Sequence, residues 1–330
     1  MNGRRIACWI AYVAYWTGID ALFYWLNRKA KRIVTFHNVL PQGLWRKDLA
    51  NGVSHSLNDF KTIVRECGRR FPFSTDLLDA RTITLTFDDG YHNQFEYAFK
   101  TLRTLGIPAY VFVSKIEEGG LLIDKLLHWV SNVPVDLIPD GDRLRYWTKE
   151  IWPRFVADCA ARGETVFREL DAKWPYAKIK AALSADYRRE RLAGISVAER
   201  EEMRAAGWKI GWHTKSHYPL NGLSHDELRN ELDCPNEFKG VCFSYPYGNP
   251  VEVGDAAVGL VRELGFPCAV SNCNTSGLNA TSRFFLPRMS LRADMYALHF
   301  ELSGVKYFLK HGKLLPRVYR DSKSLICRDS

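Results

Sequence analysis

Residues 82–90 read Thr-Ile-Thr-Leu-Thr-Phe-Asp-Asp-Gly, and this stretch decides the fold. Its first six residues are apolar or β-branched and carry no charge, which predicts a buried strand from Thr82 to Phe87. Apolar residues at helical spacing follow over residues 93–105, and Gly106 is a typical helix stop. Residues 108–113 then predict a further strand. Strand, helix and strand in this order indicate a βαβ unit with parallel strands.

The same alternation continues on both sides of this unit. Upstream, a short strand begins at Arg32 and ends at His37, and a helix capped by Ser56 runs to about Arg70. Downstream, capping boxes predict two helices, at 197–206 and 225–232. A further helix is predicted at 255–264. The strands predicted between and after these helices lie at 208–212, 241–245 and 267–271. We predict an α/β fold, either a distorted (β/α)-barrel-like domain or an open parallel sheet. This domain covers residues 32–330, and a mostly helical insertion at about 120–195 lies within it.

The first 31 residues form a separate segment. Residues 6–26 contain one charged residue, Asp20, and seven aromatic residues, and basic residues flank both sides. An aromatic-rich amphipathic helix of this kind either lies in the headgroup region of a membrane or packs on the surface of its own domain. Both interpretations stay open. No small-residue cleavage site follows, so no cleavable signal peptide is predicted, and we expect a membrane-associated or cytoplasmic protein.

The net charge of +9 comes mainly from this N-terminal segment. Residues 1–32 contain six basic residues and one acidic residue, whereas the other 298 residues carry 40 basic and 36 acidic residues. A nucleic-acid-binding protein normally carries its basic residues as a stripe on the folded domain, so we expect no nucleic-acid partner. The eight cysteines contain no Cys-x-x-Cys pair, which gives no support to a zinc-ribbon or a thioredoxin-like site.

Polar motifs follow three of the predicted strands. Asp88 and Asp89 come directly after the strand at 82–87, and two adjacent carboxylates repel each other unless a cation or a proton lies between them. His213 and His217 follow the strand at 208–212, and on one helical turn their imidazoles could bind a single metal ion. The third motif is Phe-Ser-Tyr-Pro-Tyr-Gly at 243–248. The carboxyl ends of parallel strands open into a crevice, so we expect the three motifs to meet there.

Together, the three motifs resemble those of the polysaccharide deacetylase family, the carbohydrate esterases with a NodB-like domain. The family's Thr-Phe-Asp-Asp-Gly motif matches residues 86–90, and its His-(Ser/Thr)-x-x-His motif matches residues 213–217. Its Arg-x-Pro-Tyr-Gly turn matches Pro246 to Gly248, but Ser244 stands in place of the arginine. Residues 36–39, Phe-His-Asn-Val, resemble the early Tyr-His-x-Val element of the poly-N-acetylglucosamine deacetylase branch.

The resemblance implies a role for each matching residue. Asp89, His213 and His217 would bind a divalent metal ion, with Zn²⁺ as the expected cofactor, and Asp88 would act as the general base. The metal and the backbone N–H of Tyr247 would stabilise the oxyanion. A general acid is also needed to protonate the leaving amine.

Two histidines are alternatives for the general acid. His37 matches the position that serves as the acid in the poly-N-acetylglucosamine branch and ends a predicted strand. His299 lies near the family's late Leu-x-His motif but has the wrong spacing, so we favour His37. Arg288, in a Leu-Pro-Arg segment like that of the same branch, would replace the missing motif arginine and orient Asp88.

The resemblance also implies a reaction class. We expect a metal-dependent hydrolase that removes N-acetyl groups from an amino sugar of a surface polysaccharide or its precursor, with an N-acetylated carbohydrate as its partner. The alternatives are an esterase that removes O-acetyl groups and a catalytically inactive glycan-binding module. Residues 1–32 would add a peripheral contact with a membrane.

Overall fold

The computed structural model describes residues 3–45, 54–116, 120–157, 164–272 and 282–315. The described residues form eight short strands and sixteen α-helices. The strands are β1 (Arg32–Phe36), β2 (Asn38–Leu40), β3 (Ser54–Ser56), β4 (Ile83–Phe87), β5 (Tyr110–Val113), β6 (Lys209–Trp212), β7 (Phe243–Ser244) and β8 (Ala269–Val270).

The helices fall into three groups along the chain. Before the insertion they are α1 (Gly3–Trp16), α2 (Ile19–Leu26), α3 (Gln42–Trp45), α4 (Leu57–Arg70) and α5 (Lys100–Thr104), which continues a π-helical turn (Gln94–Phe99). The insertion contains α6 (Leu122–Asn132), α7 (Arg143–Tyr146), α8 (Trp152–Ala157), α9 (Glu164–Lys173), α10 (Tyr176–Ala182) and α11 (Ala185–Tyr187), with π-helical turns at Trp147–Ile151 and Arg188–Leu192. After it come α12 (Val197–Ala205), α13 (His225–Leu232), α14 (Pro250–Glu263), α15 (Met295–Ser303) and α16 (Val305–His311).

A four-stranded parallel sheet in the order β1-β4-β5-β6 forms the centre of the molecule. All five residues of β4 are buried, as its uncharged β-branched sequence predicts. The ring of Phe87 stacks on Phe36 of β1, with 5.3 Å between ring centroids, and on Trp208 before β6, at 5.4 Å. The core therefore runs across the sheet and under the strand ends that carry the polar motifs.

The mixed α/β class with parallel strands is confirmed, but a closed barrel is not. A parallel bridge joins Val34 of β1 to Met289, and another joins Val270 of β8 to Leu286. In the described chain, β7 pairs with β8, where the amide of Phe243 donates to Cys268 O at 3.0 Å, and β7 forms no ladder with β6. The sheet and the β7-β8 pair therefore lie side by side without one continuous ring of strands.

The predicted helix over residues 6–26 is wrong in its continuity. Two helices, α1 and α2, replace it and meet at an angle of 80°. Gly18 between them has φ 77°, a left-handed conformation that ends the first helix. Within the described residues, no single helix is long and apolar enough to cross a bilayer, and only this bent pair reaches the length and composition of a span.

The helices of the insertion share a small core of their own. Trp129 on α6 is fully buried there, together with Phe155 of α8 and Leu170 of α9. The half-buried Trp152 reaches beyond this core and contacts the Tyr247 ring, with 5.2 Å between ring centroids. The insertion is thus helical, as predicted, and its core extends to a residue of the third motif. Its boundaries as a unit stay a prediction.

Candidate active site

The predicted site residues meet at the carboxyl ends of the parallel strands. Asp88 and Asp89 follow β4, His37 follows β1, and His213 follows β6. His217 comes from the loop after β6, and its ring lies 4.9 Å from the His213 ring between centroids. The structure therefore brings together five side chains from three strand ends.

Asp89, His213 and His217 form a group that could hold a metal ion. Each offers one ligand atom, and these atoms all lie within 4.8 Å of one another. Nε2 of His217 lies 3.1 Å from Asp89 Oδ1, and Nε2 of His213 lies 3.6 Å from it. One carboxylate and two imidazoles are the three protein ligands of many catalytic zinc sites, which leave a fourth position open for water or substrate.

The hydrogen bonds around these ligands fit a bound cation. Asp89 Oδ1 is buried, and although Nε2 of His217 lies 3.1 Å away, no hydrogen bond of good geometry reaches this oxygen in the described chain. Nδ1 of His213 donates to the backbone oxygen of Ser244 at 2.6 Å, which leaves the lone pair of Nε2 directed at the group. A buried acceptor without a donor beside a correctly oriented imidazole is the arrangement that a metal ion satisfies.

Charge interactions within this group shift the pKa values of Asp89 and His217. Burial has the largest single effect on Asp89 and alone would raise its pKa, but the nearby imidazoles of His217, His213 and His37 together hold the pKa well below the ordinary value. Burial alone would lower the pKa of His217, but the Asp89 carboxylate raises it. The carboxylate is thus ionised, as a metal ligand must be, and a metal ion would displace the proton from His217.

Asp88 is fully buried and is held by an arginine. Nη1 of Arg288 donates to Asp88 Oδ1 at 2.7 Å and Nη2 donates to Oδ2 at 2.5 Å, a bidentate pair. Ser244, which stands where the resembling family has arginine, donates to Oδ1 at 3.1 Å. Burial has the largest single effect on Asp88 and alone would raise its pKa, but Arg288, together with His213 and His37, lowers the pKa to about 2. The predicted contact between Arg288 and Asp88 is therefore present, and Asp88 is ionised at neutral pH.

The two histidines considered as general acid lie in different places. Nε2 of His37 is 3.8 Å from Asp88 Oδ2, so His37 belongs to the site, and burial lowers its pKa. His299 lies on α15, where Nδ1 contacts the hydroxyl of Tyr24 at 2.9 Å and the ring packs on Tyr15. Of these two histidines, only His37 lies beside the carboxylates of Asp88 and Asp89.

Tyr247 lies against the group that could hold a metal ion. Its ring is 4.8 Å from the His217 ring between centroids, and its hydroxyl donates to His217 O at 3.2 Å. In the part of the chain that the structure describes, its backbone N–H has no backbone acceptor. The N–H is therefore available as the predicted oxyanion donor, and that role stays a prediction.

Left-handed backbone conformations are concentrated at this site. Five described non-glycine residues have positive φ, and four of them belong to the three motifs, namely Asp89 (76°), Thr214 (66°), His217 (56°) and Tyr247 (60°). Such conformations cost about 1–3 kcal/mol each and persist where the surroundings fix them. The prediction that His213 and His217 share one helical turn is therefore wrong, because the loop after β6 is not helical.

Sequence reasoning missed a buried polar cluster beside the motifs. Tyr91, two residues after Asp89, donates its hydroxyl to Asp124 Oδ2 on α6, and Arg191 donates to Asp124 Oδ1 at 2.9 Å. All three side chains are buried. The position of Tyr91 directly after the Asp-Asp-Gly motif is the one sequence signal that points to this cluster. Asp124 and Arg191 belong to no recognisable motif.

Comparisons with known proteins place this site on the fold of a deacetylase. No family model and no curated protein matches the chain. The Streptococcus pyogenes deacetylase PplD, solved in complex with acetate, matches with a TM-score of 0.51 at 12% identity, over 83% of this chain and 97% of that chain. IcaB from Ammonifex degensii matches over the same shares at 16% identity with a TM-score of 0.47. The resemblance predicted from the motifs is thereby confirmed at the level of the fold.

Proposed function

We propose that this chain is a metal-dependent hydrolase that removes N-acetyl groups from an amino sugar of a surface polysaccharide or its precursor. The observation that carries the proposal is the convergence of Asp89, His213 and His217 on one point, beside a buried and ionised Asp88. The fold shared with PplD, a deacetylase solved with acetate, supports the same reaction class.

Asp89, His213 and His217 would hold the ion, with Zn²⁺ as the expected metal because one carboxylate and two imidazoles suit it. When bound, such an ion lowers the pKa of water to about 7 and polarises the acetyl carbonyl. The open side of the three-ligand set is where the acetyl group would enter.

Asp88 would accept the proton of the attacking water. Arg288 occupies both carboxylate oxygens and Ser244 donates to one of them, so the carboxylate is fixed in orientation and stays charged until the proton arrives. His37 Nε2, 3.8 Å from Asp88 Oδ2, would carry a proton to the leaving amine nitrogen. The N–H of Tyr247 would donate to the developing oxyanion.

Acetate release from a panel of N-acetylated and O-acetylated oligosaccharides, with metal removed and restored, tests this function. We expect metal-dependent release from N-acetylated sugars, and a loss of about 100-fold or more in Asp88→Asn. Asp226→Asn is the matched control, because Asp226 is exposed on α13 and its substitution should leave the rate unchanged.

Each result of this panel has a definite meaning. Release from O-acetylated sugars alone would replace the proposal with an esterase. Metal binding without release from any acetylated glycan would favour an inactive glycan-binding module. Full activity in Asp88→Asn would show that the base has been assigned wrongly.

We also propose that residues 1–32 contact a membrane surface peripherally. Trp9 and Trp16 on α1 and Trp25 on α2 are all more than half exposed. Exposed tryptophans beside basic residues are typical of helices that lie at a membrane interface.

A further inference from the structure

Helix α1 has two apolar faces. Ala11 and Ala14 lie one turn apart on the inner face, where they are buried against Phe300 and Val305. Trp9 and Trp16 lie two turns apart on the outer face and are 65% and 64% exposed. The two interpretations drawn from the sequence are therefore compatible, because one face packs on the domain and the other is left to solvent.

The outer surface continues onto α16, near the other end of the described chain. Phe308 of α16 packs on Phe23 of α2, with 5.1 Å between ring centroids, and Leu309 beside it is 58% exposed. Together α1, α2 and α16 enclose an open groove of about 300 Å³ that is lined only by apolar side chains, among them Trp9 and Val13. We call the exposed apolar side chains of these three helices the apolar face.

The exposed charged residues of the segments that carry the apolar face are all basic. Residues 3–31 and 305–315 contain one acidic residue, Asp20, and it is buried. The exposed basic residues of these segments include Arg28, Lys29, Lys310 and Lys313. Arg28 lies over the Trp25 ring, 4.5 Å from its centroid. Basic residues beside exposed tryptophan and leucine are complementary to anionic headgroups above acyl chains.

We propose that α1, α2 and α16 together dock on an anionic lipid surface, with both N-terminal helices lying in the headgroup region. This deepens the membrane contact proposed for residues 1–32, since it adds the late helix α16 and specifies the lipid charge. It does not depend on the hydrolase activity. The 80° bend and the packing of the inner face of α1 on the domain favour helices that lie along the surface.

Sedimentation of the full chain with lipid vesicles tests the proposal. We expect binding to phosphatidylglycerol-containing vesicles at least tenfold tighter than to phosphatidylcholine vesicles, and weaker binding as salt is added. Leu309→Glu and Trp9→Glu should each weaken binding about tenfold or more, because each removes a large apolar side chain from the contact. Leu144→Glu on α7, at 73% exposure, is the matched control and should bind like the wild type.

Other measurements separate this proposal from its competitors. Thermal unfolding should show that the three variants remain folded, since every substituted side chain is exposed. Acetate release from a soluble substrate should be unchanged in all three, so loss of vesicle binding is independent of catalysis. Equal binding of wild type and Leu309→Glu would overturn the proposal. It would also fail if light scattering showed a dimer that Leu309→Glu dissociates while vesicles stay unbound, because the face would then join two copies.

Discussion

At the scale of single residues, the contact between Arg288 and Asp88 governs the charge of the site. Besides its two bonds to Asp88, the guanidinium donates to Ser271 O, Thr86 Oγ1 and Asn272 Oδ1, at 2.9, 3.1 and 2.6 Å. A planar group with five donors meets all of these acceptors, whereas a lysine ammonium has only three. A lysine in place of Arg288 would therefore leave some of these buried acceptors without a donor.

Replacing Arg288 with Met should destabilise the protein by about 3–5 kcal/mol, because it leaves a buried carboxylate unpaired. The wild-type pair contributes stability above the unfolded-state pKa of Asp88 and loses it as the pH falls toward about 2. In the variant, burial without Arg288 raises the pKa of Asp88, so stability falls as the pH rises through that value. Chemical unfolding at pH 5 and pH 8 measures the destabilisation of the variant and its dependence on pH, and unfolding near pH 2 measures the loss in the wild type.

The double variant Asp88→Asn with Arg288→Met is the control for this prediction, since it removes both charges together. It should be more stable than Arg288→Met alone, and its stability should not show the same dependence on pH. A single variant with wild-type stability at both pH values would contradict the account.

Sequence reasoning identified the residues of the site better than their surroundings. Asp88, Asp89 and His213 could be found because each follows a strand whose apolar pattern is local to the chain. Arg288 was found through a resembling segment. Asp124 and Arg191 could not be found, because their role depends on contacts with Tyr91 across a sequence separation that no local pattern records.

At the scale of elements, the loop after β6 shows tertiary contacts overriding local spacing. Histidines four residues apart suit one turn of a helix, yet Thr214 and His217 are left-handed. The amide of Lys215 donates to Glu231 O and that of Ser216 to Glu231 Oε2, at 3.0 and 2.9 Å. Glu231 on α13 thus accepts hydrogen bonds from two amides that would donate to backbone carbonyls within a helix. Contacts with α13 therefore determine the conformation of this loop.

The cluster of Tyr91, Asp124 and Arg191 connects α6 of the insertion to the segment that carries Asp89. Tyr91→Phe should weaken metal binding about tenfold, since that segment loses a buried anchor two residues from a ligand. Burial, reinforced by Asp124, raises the pKa of Tyr91 well above its ordinary value, so the hydroxyl is a donor throughout the working range. Competition with a metal-sensitive dye measures the affinity.

Tyr110→Phe provides the comparison, because Tyr110 is also buried and its hydroxyl donates to Thr75 O, at the opposite end of β5 from the site. Both variants lose one buried hydrogen bond, so both should lose about 1 kcal/mol of stability. Only Tyr91→Phe should lose metal affinity. Equal affinities in the two variants would show that the cluster is merely structural.

At the scale of the whole molecule, the order of strands and helices could be predicted and the closure of the sheet could not. β1, β4 and β6 begin and end within a residue of their predicted bounds, because each is an apolar run beside a clear stop. The predicted strand at 241–245 shrinks to two residues, whereas the helix predicted at 255–264 is present as the second part of α14, after a break at Gly254 (φ 71°) that separates it from a turn beginning at Pro250. The strand differs from its prediction because its length depends on the pairing of β7 with β8, which no local pattern records.

Adding zinc to metal-free protein should raise its unfolding temperature. An ion at 100 times its dissociation constant stabilises the folded state by about 2.7 kcal/mol, which amounts to several degrees by calorimetry. His213→Ala should abolish most of this increase, and His225→Ala should keep it, since His225 is exposed on α13. An increase of equal size in both variants would place the metal elsewhere.

The ligand group spans two strands that are not neighbours, since β5 lies between β4 and β6. The three side chains converge only after those strands have docked in register. An incompletely folded chain therefore has no preformed three-ligand site for a metal ion. Binding of the proposed metal ion would therefore be a late step in folding. The proposed ion would then bind in the compartment where folding finishes, and the metal supply of that compartment, rather than conditions at the ribosome, would decide which ion the site receives.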